Sequence, residues 1–139
     1  MEPIGRELGR TGTTVSRAFA SALAEAGGTL PTWLILLELK RERRRTQQEL
    51  ARAVGIEGAT LTRHLDALED AGLVERLAHP SDRRATQVEL TAEGEGTFQR
   101  LRRAAGAFDR QLRAGFSDAE LAELRRFLER LRTNATRAS

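Results

Sequence analysis

The sequence predicts a mainly α fold that carries one small β-hairpin. Two observations lead there. Apolar residues recur at steps of three and four, or sums of these, over residues 4–26, 50–68, 98–112 and 121–131, which marks amphipathic helices. Residues 73–78 and 85–90 instead alternate apolar with polar, the period of a half-buried strand. Aromatic residues make up only 4% of the chain, so Leu, Ala and Val must form most of the core.

A length of 139 residues suits a single domain with its own core. No run of 18 apolar residues is present, and the acidic, unpatterned start MEPIGRELGR lacks the apolar stretch of a signal peptide, so a cytoplasmic location without membrane contact is expected. The absence of cysteine excludes disulfides, thiolate metal sites and a thiol switch, and His64 and His79 alone do not build a metal site. No cofactor is expected. An enzyme is a poor reading as well: there is no Cys or Tyr, no phosphate-loop motif and no nucleophile set beside a histidine. The net charge of +3 is a weak pointer to an anionic partner, since basic and acidic residues nearly balance in each third of the chain. Of the 23 basic residues, all but Lys40 are Arg, whose planar fork suits phosphates and guanine edges, although a general Arg bias gives the same count.

Ile4, Leu8, Val15, Phe19, Leu23 and Ala26 form one stripe of a first helix that Gly27-Gly28 ends. Pro31 suits the first turn of the second helix. In that helix Trp33, Leu34, Ile35, Leu36, Leu37 and Leu39 leave almost no polar face, which places it at the centre of the core. The run Lys40-Arg41-Glu42-Arg43-Arg44-Arg45 reads as a solvated basic tail to this helix, close enough to the next element to reach phosphates as an alternative. Thr46 and Glu49 have the spacing of a capping box at the start of a short third helix, and Gly55 supplies the sharp turn after it. A fourth helix from about Gly58 to Ala71 buries Leu61, Leu65 and Leu68 and presents Ala59, Arg63, Asp66 and Asp70 outward, with Thr60 and Thr62 on the flanks. Thr91 caps a long helix over 92–115, where Phe98, Leu101, Ala105, Phe108 and Leu112 form a seam suited to another helix. Ser117 and Glu120 repeat the capping-box spacing before a last helix with Leu121, Leu124, Phe127, Leu128 and Leu131 on one side.

The fourth helix has a polarity. Thr60, Thr62, Arg63 and His64 lie in its first half, while Asp66, Glu69 and Asp70, which phosphates would repel, lie in its second. A helix entering a DNA major groove by its N-terminal end needs that order, although an ordinary solvent face fits as well. The hairpin tip, His79 to Arg84, projects Arg83 and Arg84. The spacing lets Asp82 hold the Arg84 guanidinium in a bidentate pair, which would pre-orient it for a narrow minor groove, or which is simply a surface salt bridge. The first and last stretches, 1–28 and 92–139, are amphipathic helices beyond what a unit of this kind needs. Pairing with a second copy would bury their stripes and set two reading heads about 34 Å apart, while the alternative is a closed monomer.

In this order and spacing the chain resembles the MarR family of winged helix-turn-helix regulators over essentially its whole length. The resemblance is carried by LPTWLILLEL at 30–39, TQQELA at 46–51, LTRHLDALEDAGLV at 61–74, and DRRA at 82–85 followed by VELT at 88–91 and Gly94. It implies one MarR-like domain over 1–139, with a winged helix-turn-helix lobe at 29–91 flanked by N- and C-terminal dimerisation helices at 1–28 and 92–139. It implies a homodimeric DNA-binding transcriptional regulator, most often a repressor of a pseudo-palindromic operator, released by a small aromatic or phenolic ligand. Thr60, Thr62, Arg63 and the adjacent His64 would face the major groove. Asp82 and Arg84 would be the wing pair, with Arg83 beside the minor groove or backbone and Thr46 and Gln47 on phosphate. Arg6, Arg10, Thr14 and Trp33 are the candidates for a ligand pocket; plain core packing is the competing reading for Trp33, and a solvated face for Arg10. The chain departs from the family at Glu57-Gly58, where Ser or Thr often caps the reading helix, and in having no cysteine, which sets it apart from the peroxide-sensing branch. The competing reading is a winged-helix module that docks a protein, or a non-specific architectural DNA binder without ligand response.

Overall fold

The computed structural model describes residues 1–137. In chain order the elements are α1 (Ile4–Glu25), α2 (Leu30–Arg41), β1 (Arg44–Thr46), α3 (Gln47–Val54), α4 (Gly58–Asp70), β2 (Val74–Ala78), β3 (Thr86–Leu90), α5 (Ala92–Arg113) and α6 (Asp118–Ala135). The chain divides into two compact units, one ending at Gly106 and one beginning at Ala107.

The first unit is built around α2. Its start is set by Thr29, whose hydroxyl accepts the Thr32 amide, with Pro31 in the first turn. Ile35, Leu36 and Leu39 are fully buried there, and Leu23 of α1, Leu50 and Ala51 of α3, Leu61, Leu65 and Leu68 of α4, Val74 of β2, Val88 of β3, and Phe98 and Leu101 of α5 complete one continuous core. All the leucines assigned to the inner face of α4 are in it.

The sheet has three strands, not the two of a simple hairpin. Its order is β1-β3-β2, antiparallel throughout, with Arg44 opposite Glu89 and Thr46 opposite Gln87 on one side of β3, and Val74 opposite Leu90 and Ala78 opposite Thr86 on the other. The basic run at 40–45 is solvated, with Lys40 to Arg44 exposed, but it is not a free tail. Lys40 and Arg41 complete α2, and the following arginines enter or flank β1, where carboxylates from neighbouring elements match them. Arg43 and Arg44 pair with Glu89 at 3.1 and 3.2 Å, and Arg45 with Glu38 and Glu42 at 3.2 and 3.1 Å. Three residues are too few to show a period of two, so the strand had no readable signature.

The junction between β3 and α5 is tight. The Thr91 hydroxyl donates to the Gly72 carbonyl at 2.5 Å and accepts the Gly94 amide at 3.0 Å, while the Thr91 amide donates to the Leu73 carbonyl. Helix α5 passes so close that a Cβ on residue 94 would lie 2.0 Å from the Leu73 carbonyl oxygen. Only glycine fits.

In the second unit, Ser117 and Glu120 form the expected capping box at the start of α6, and Phe108 and Leu121 are buried. Leu112, Phe116, Leu124 and Phe127 are between 44% and 52% exposed, so the apolar seam of these helices is only partly covered within one chain. Among the described residues no single helix is long and apolar enough to cross a membrane.

Candidate nucleic-acid interface

Helices α3 and α4 form a helix-turn-helix. Thr46 accepts the Glu49 amide at 3.1 Å, and the Glu49 carboxylate accepts the Thr46 amide at 3.0 Å, closing the capping box. These bonds to the charged form, the backbone one foremost, hold the Glu49 carboxyl below its ordinary value. The turn is made at Gly55, whose φ of 81° is the left-handed conformation that glycine adopts at low cost. Helix α4 then starts at Gly58 behind Glu57, which makes no side-chain cap. Ala59, Arg63, Asp66 and Asp70 are exposed and Thr60, Thr62 and His64 half-buried, as the helical spacing requires. The Thr62 hydroxyl donates to the Gly58 carbonyl at 3.0 Å.

The wing tip differs from the sequence expectation in one respect. Asp82 and the Arg84 guanidinium form no ion pair among the described residues; the Asp82 carboxylate instead accepts the Arg84 backbone amide at 3.0 Å. A two-residue separation in a turn favours this short Asx bond over a contact that must reach to the end of a long side chain. The carboxylate therefore shapes the loop and the guanidinium stays free. His79 does the same from the other end, its Nδ1 accepting the amides of Ser81 and Asp82, each at 3.1 Å.

Two shallow hollows connect these elements. One is bounded by Gln47, Gln48, Arg52, Gly58 and Thr62, between α3 and the start of α4. The other is bounded by Thr46, Gln47 and Gln48 on one side and His79, Asp82 and Arg84 on the other. They share Gln47 and Gln48, so the surface runs without a break from α4 across the N-terminus of α3 to the wing tip. Along residues 29–91 there are ten basic residues, and six of them (Lys40, Arg41, Arg43, Arg44, Arg45 and Arg76) are in ion pairs. The four without an ion pair among the described residues are Arg52, Arg63, Arg83 and Arg84, and all four are exposed. On the exposed side of α3 the sequence reading takes only Gln47 as a contact, and it misses Gln48 and Arg52. An exposed Arg five residues after Gln47, on the outer face of the same short helix, was the available signal.

The acidic half of α4 is also resolved by the structure. Arg76 of β2 reaches Asp66 at 2.7 Å and Glu69 at 2.8 Å, and Glu69 accepts the Arg76 amide as well. The hydrogen bonds from Arg76 hold the Glu69 carboxyl below its ordinary value, and those to Glu69 and Asp66 push the Arg76 guanidinium up. Two of the three acids are thus tied to the sheet, which fixes the helix from behind; only Asp70 is left without an ion-pair partner among the described residues.

The four pocket candidates do not converge within one chain. Arg6, Arg10 and Thr14 line a shallow hollow on α1, and both arginines pair with Glu2, at 3.3 and 3.1 Å. Trp33 lies on α2, stacked on Phe98 with ring centroids 5.7 Å apart. Its spacing in an apolar run expressed core packing. Among the described residues no cluster of His, Cys, Asp or Glu has the geometry to hold a metal.

A helix-turn-helix backed by a three-stranded sheet, with a basic hairpin tip beside it, defines a winged helix-turn-helix, a fold of transcription regulators. Known proteins narrow the class. The MarR family model matches residues 29–86. The HTH-type transcriptional repressor Rv2887 of Mycobacterium tuberculosis is 32% identical over 129 residues, spanning 93% of each chain. Among solved structures, a mutant MarR from E. coli complexed with operator DNA is 26% identical, with a TM-score of 0.81 over 93% of each chain. The transcriptional repressor CouR bound to a 23-mer DNA duplex is 28% identical, with a TM-score of 0.83 over 93% of this chain and 92% of the other. The chain belongs to the MarR family, whose members are transcriptional regulators and not enzymes.

Proposed function

We propose that the protein is a homodimeric repressor that acts in the cytoplasm on a pseudo-palindromic operator and is released by a small ligand. The observation that carries the DNA reading is the sorting of charge in residues 29–91. Six basic residues are held by carboxylates, and the four left free lie on α3, on α4 and at the wing tip. Arg63, with Thr60, Thr62 and His64, enters the major groove; Arg83 and Arg84 reach the minor groove or its backbone, with Asp82 shaping their loop; Thr46 and Gln47 meet phosphate. The relatives whose solved forms hold operator DNA or a DNA duplex support the DNA-binding reading. Homodimer formation through residues 1–28 and 92–139 is supported by the partly uncovered apolar residues there, Ile4 and Leu8 on α1 and Leu112, Phe116, Leu124 and Phe127 on α5, α6 and the loop between them. A pocket that includes Arg6, Arg10, Thr14 and Trp33 then takes an aromatic or phenolic ligand between the arms and the lobe. To reverse a 99:1 preference, that ligand must favour one lobe spacing by about 5.5 kcal/mol.

The test is binding of the purified protein to the intergenic DNA upstream of its own gene, at two salt concentrations, against a scrambled duplex. Tight, salt-sensitive binding that survives scrambled competitor, at two protomers per site, is expected. Equal binding to both duplexes would reduce the protein to an architectural DNA binder. No binding at low salt would move the search to protein partners.

A further inference from the structure

The loop that displays Arg83 and Arg84 is closed at its other end by His79. We propose that His79 is a positioning residue for the wing: its imidazole, with the hydrogen on Nε2, staples the tip into its DNA-binding shape. The functional part rests on the DNA-binding reading above; the structural part does not.

The argument is one of donors and acceptors. Backbone amides only donate, and the amides of Ser81 and Asp82 both point at Nδ1, each at 3.1 Å. Nδ1 must therefore present its lone pair, which places the ring hydrogen on Nε2. Pro80 has no amide hydrogen, so Ser81 and Asp82 are the first donors the turn offers. The remaining bonds continue the closure. Asp82 Oδ1 accepts the Arg84 amide, the Asp82 carbonyl accepts the Ala85 amide, and the Ala85 carbonyl accepts the His79 amide. An imidazolium carries hydrogen on both nitrogens. It has no lone pair for the two amides and would turn an N–H toward them. The charged groups bounding the same hollow are Asp82 and Arg84; α3 presents Thr46, Gln47 and Gln48, none of which titrates, and the strand ends present Ala85 and Thr86.

The experiment uses the full chain. With only two histidines, long-range nitrogen–proton NMR of the wild type and of His64→Gln identifies each ring. Hydrogen on Nε2 is expected for His79; hydrogen on Nδ1 would overturn the proposal whatever the protein binds. Affinity is then read on a duplex the wild type binds. His79→Ala should weaken binding roughly tenfold, the scale of losing a capping acceptor. His79→Asn, whose side-chain oxygen can occupy the Nδ1 position, should restore it, and His79→Gln, which reaches the Nε2 position, should not. Wild-type affinity in His79→Ala, or equal rescue by Asn and Gln, each refutes the role. If the wild type binds no duplex, the DNA reading fails while the NMR result still decides the staple.

Discussion

Adding one methyl group at residue 94 tests how the wing is fastened to the long helix. In Gly94→Ala the new Cβ would stand 2.0 Å from the Leu73 carbonyl oxygen and 2.8 Å from a Leu90 methyl, and the nearer neighbour is backbone, which cannot rotate away. Relief requires α5 to lift by more than about 1 Å, an overpacking cost of about 1–3 kcal/mol. Lifting also strains the Thr91 bonds to Leu73 and Gly72, each worth about 1 kcal/mol net. Against this, Ala gains about 1 kcal/mol over Gly in a helix. The balance is a destabilisation of about 1–4 kcal/mol. The control sits two residues away. Gly96 is on the same helix with nothing within 4 Å of its added Cβ, so Gly96→Ala should stabilise by about 0.5–1 kcal/mol. Urea unfolding followed by circular dichroism, at two protein concentrations to separate any subunit linkage, measures both. If Gly94→Ala moves the midpoint upward with Gly96→Ala, the close approach is not a constraint and the reasoning about this junction is wrong.

Thr46→Ala removes the acceptor for the Glu49 amide and should cost about 1 kcal/mol, read by the same unfolding assay, with Thr46→Ser close to wild type. Arg63→Ala should lose about 1–3 kcal/mol of operator affinity and relax sequence preference, whereas Arg52→Ala should weaken all duplexes alike and lower the salt slope by about 1; a reversed pattern would exchange the two roles. Hydrogen bonds hold the carboxyls of Glu49, Glu69, Glu95 and Glu120 below their ordinary 4.5. Groups depressed in this way contribute stability above that value and lose it as pH falls through their lowered folded values. The unfolding midpoint should therefore hold steady above about pH 5 and drop below about pH 4, and Glu95→Gln, which loses the Lys40 ion pair, should flatten the drop. An unfolding midpoint that rises on acidification would contradict the signs.

Local chemistry was the part of this fold that could be read in advance. The two capping boxes, the turn at Gly55, the inward leucines of α4 and the cap at Thr91 each depend on residues within four positions of one another, and all stand as expected. What escaped depends on partners far apart in the chain. Strand β1 is held by Glu89, which receives Arg44, by Glu38, which receives Arg45, and by the open edge of β3, none of which is visible within residues 40–45. The acids of α4 looked like repulsion toward phosphate until Arg76 arrived from β2. At the wing the error was of a different kind: Asp82 was assigned to a guanidinium when the nearer amide of the same residue was available. The ligand candidates had the least local support, since Trp33 and the arginines of α1 share no sequence pattern and Trp33 does not line the hollow that Arg6, Arg10 and Thr14 share.

Thr46 belongs to two elements at once. It is the last residue of β1, opposite Gln87, and its hydroxyl begins α3. No linker separates sheet from helix, so there is no slack at that junction. A residue inserted between Arg45 and Thr46 must either shift the strand by one, turning its side chains to the wrong face, or pull the cap off the helix. The same addition at Glu42 or Arg43, ahead of the pairing, meets neither constraint. Helix α3 and the sheet that carries the wing are thereby geared together, and a signal arriving from elsewhere in the molecule would have to swing them as one piece.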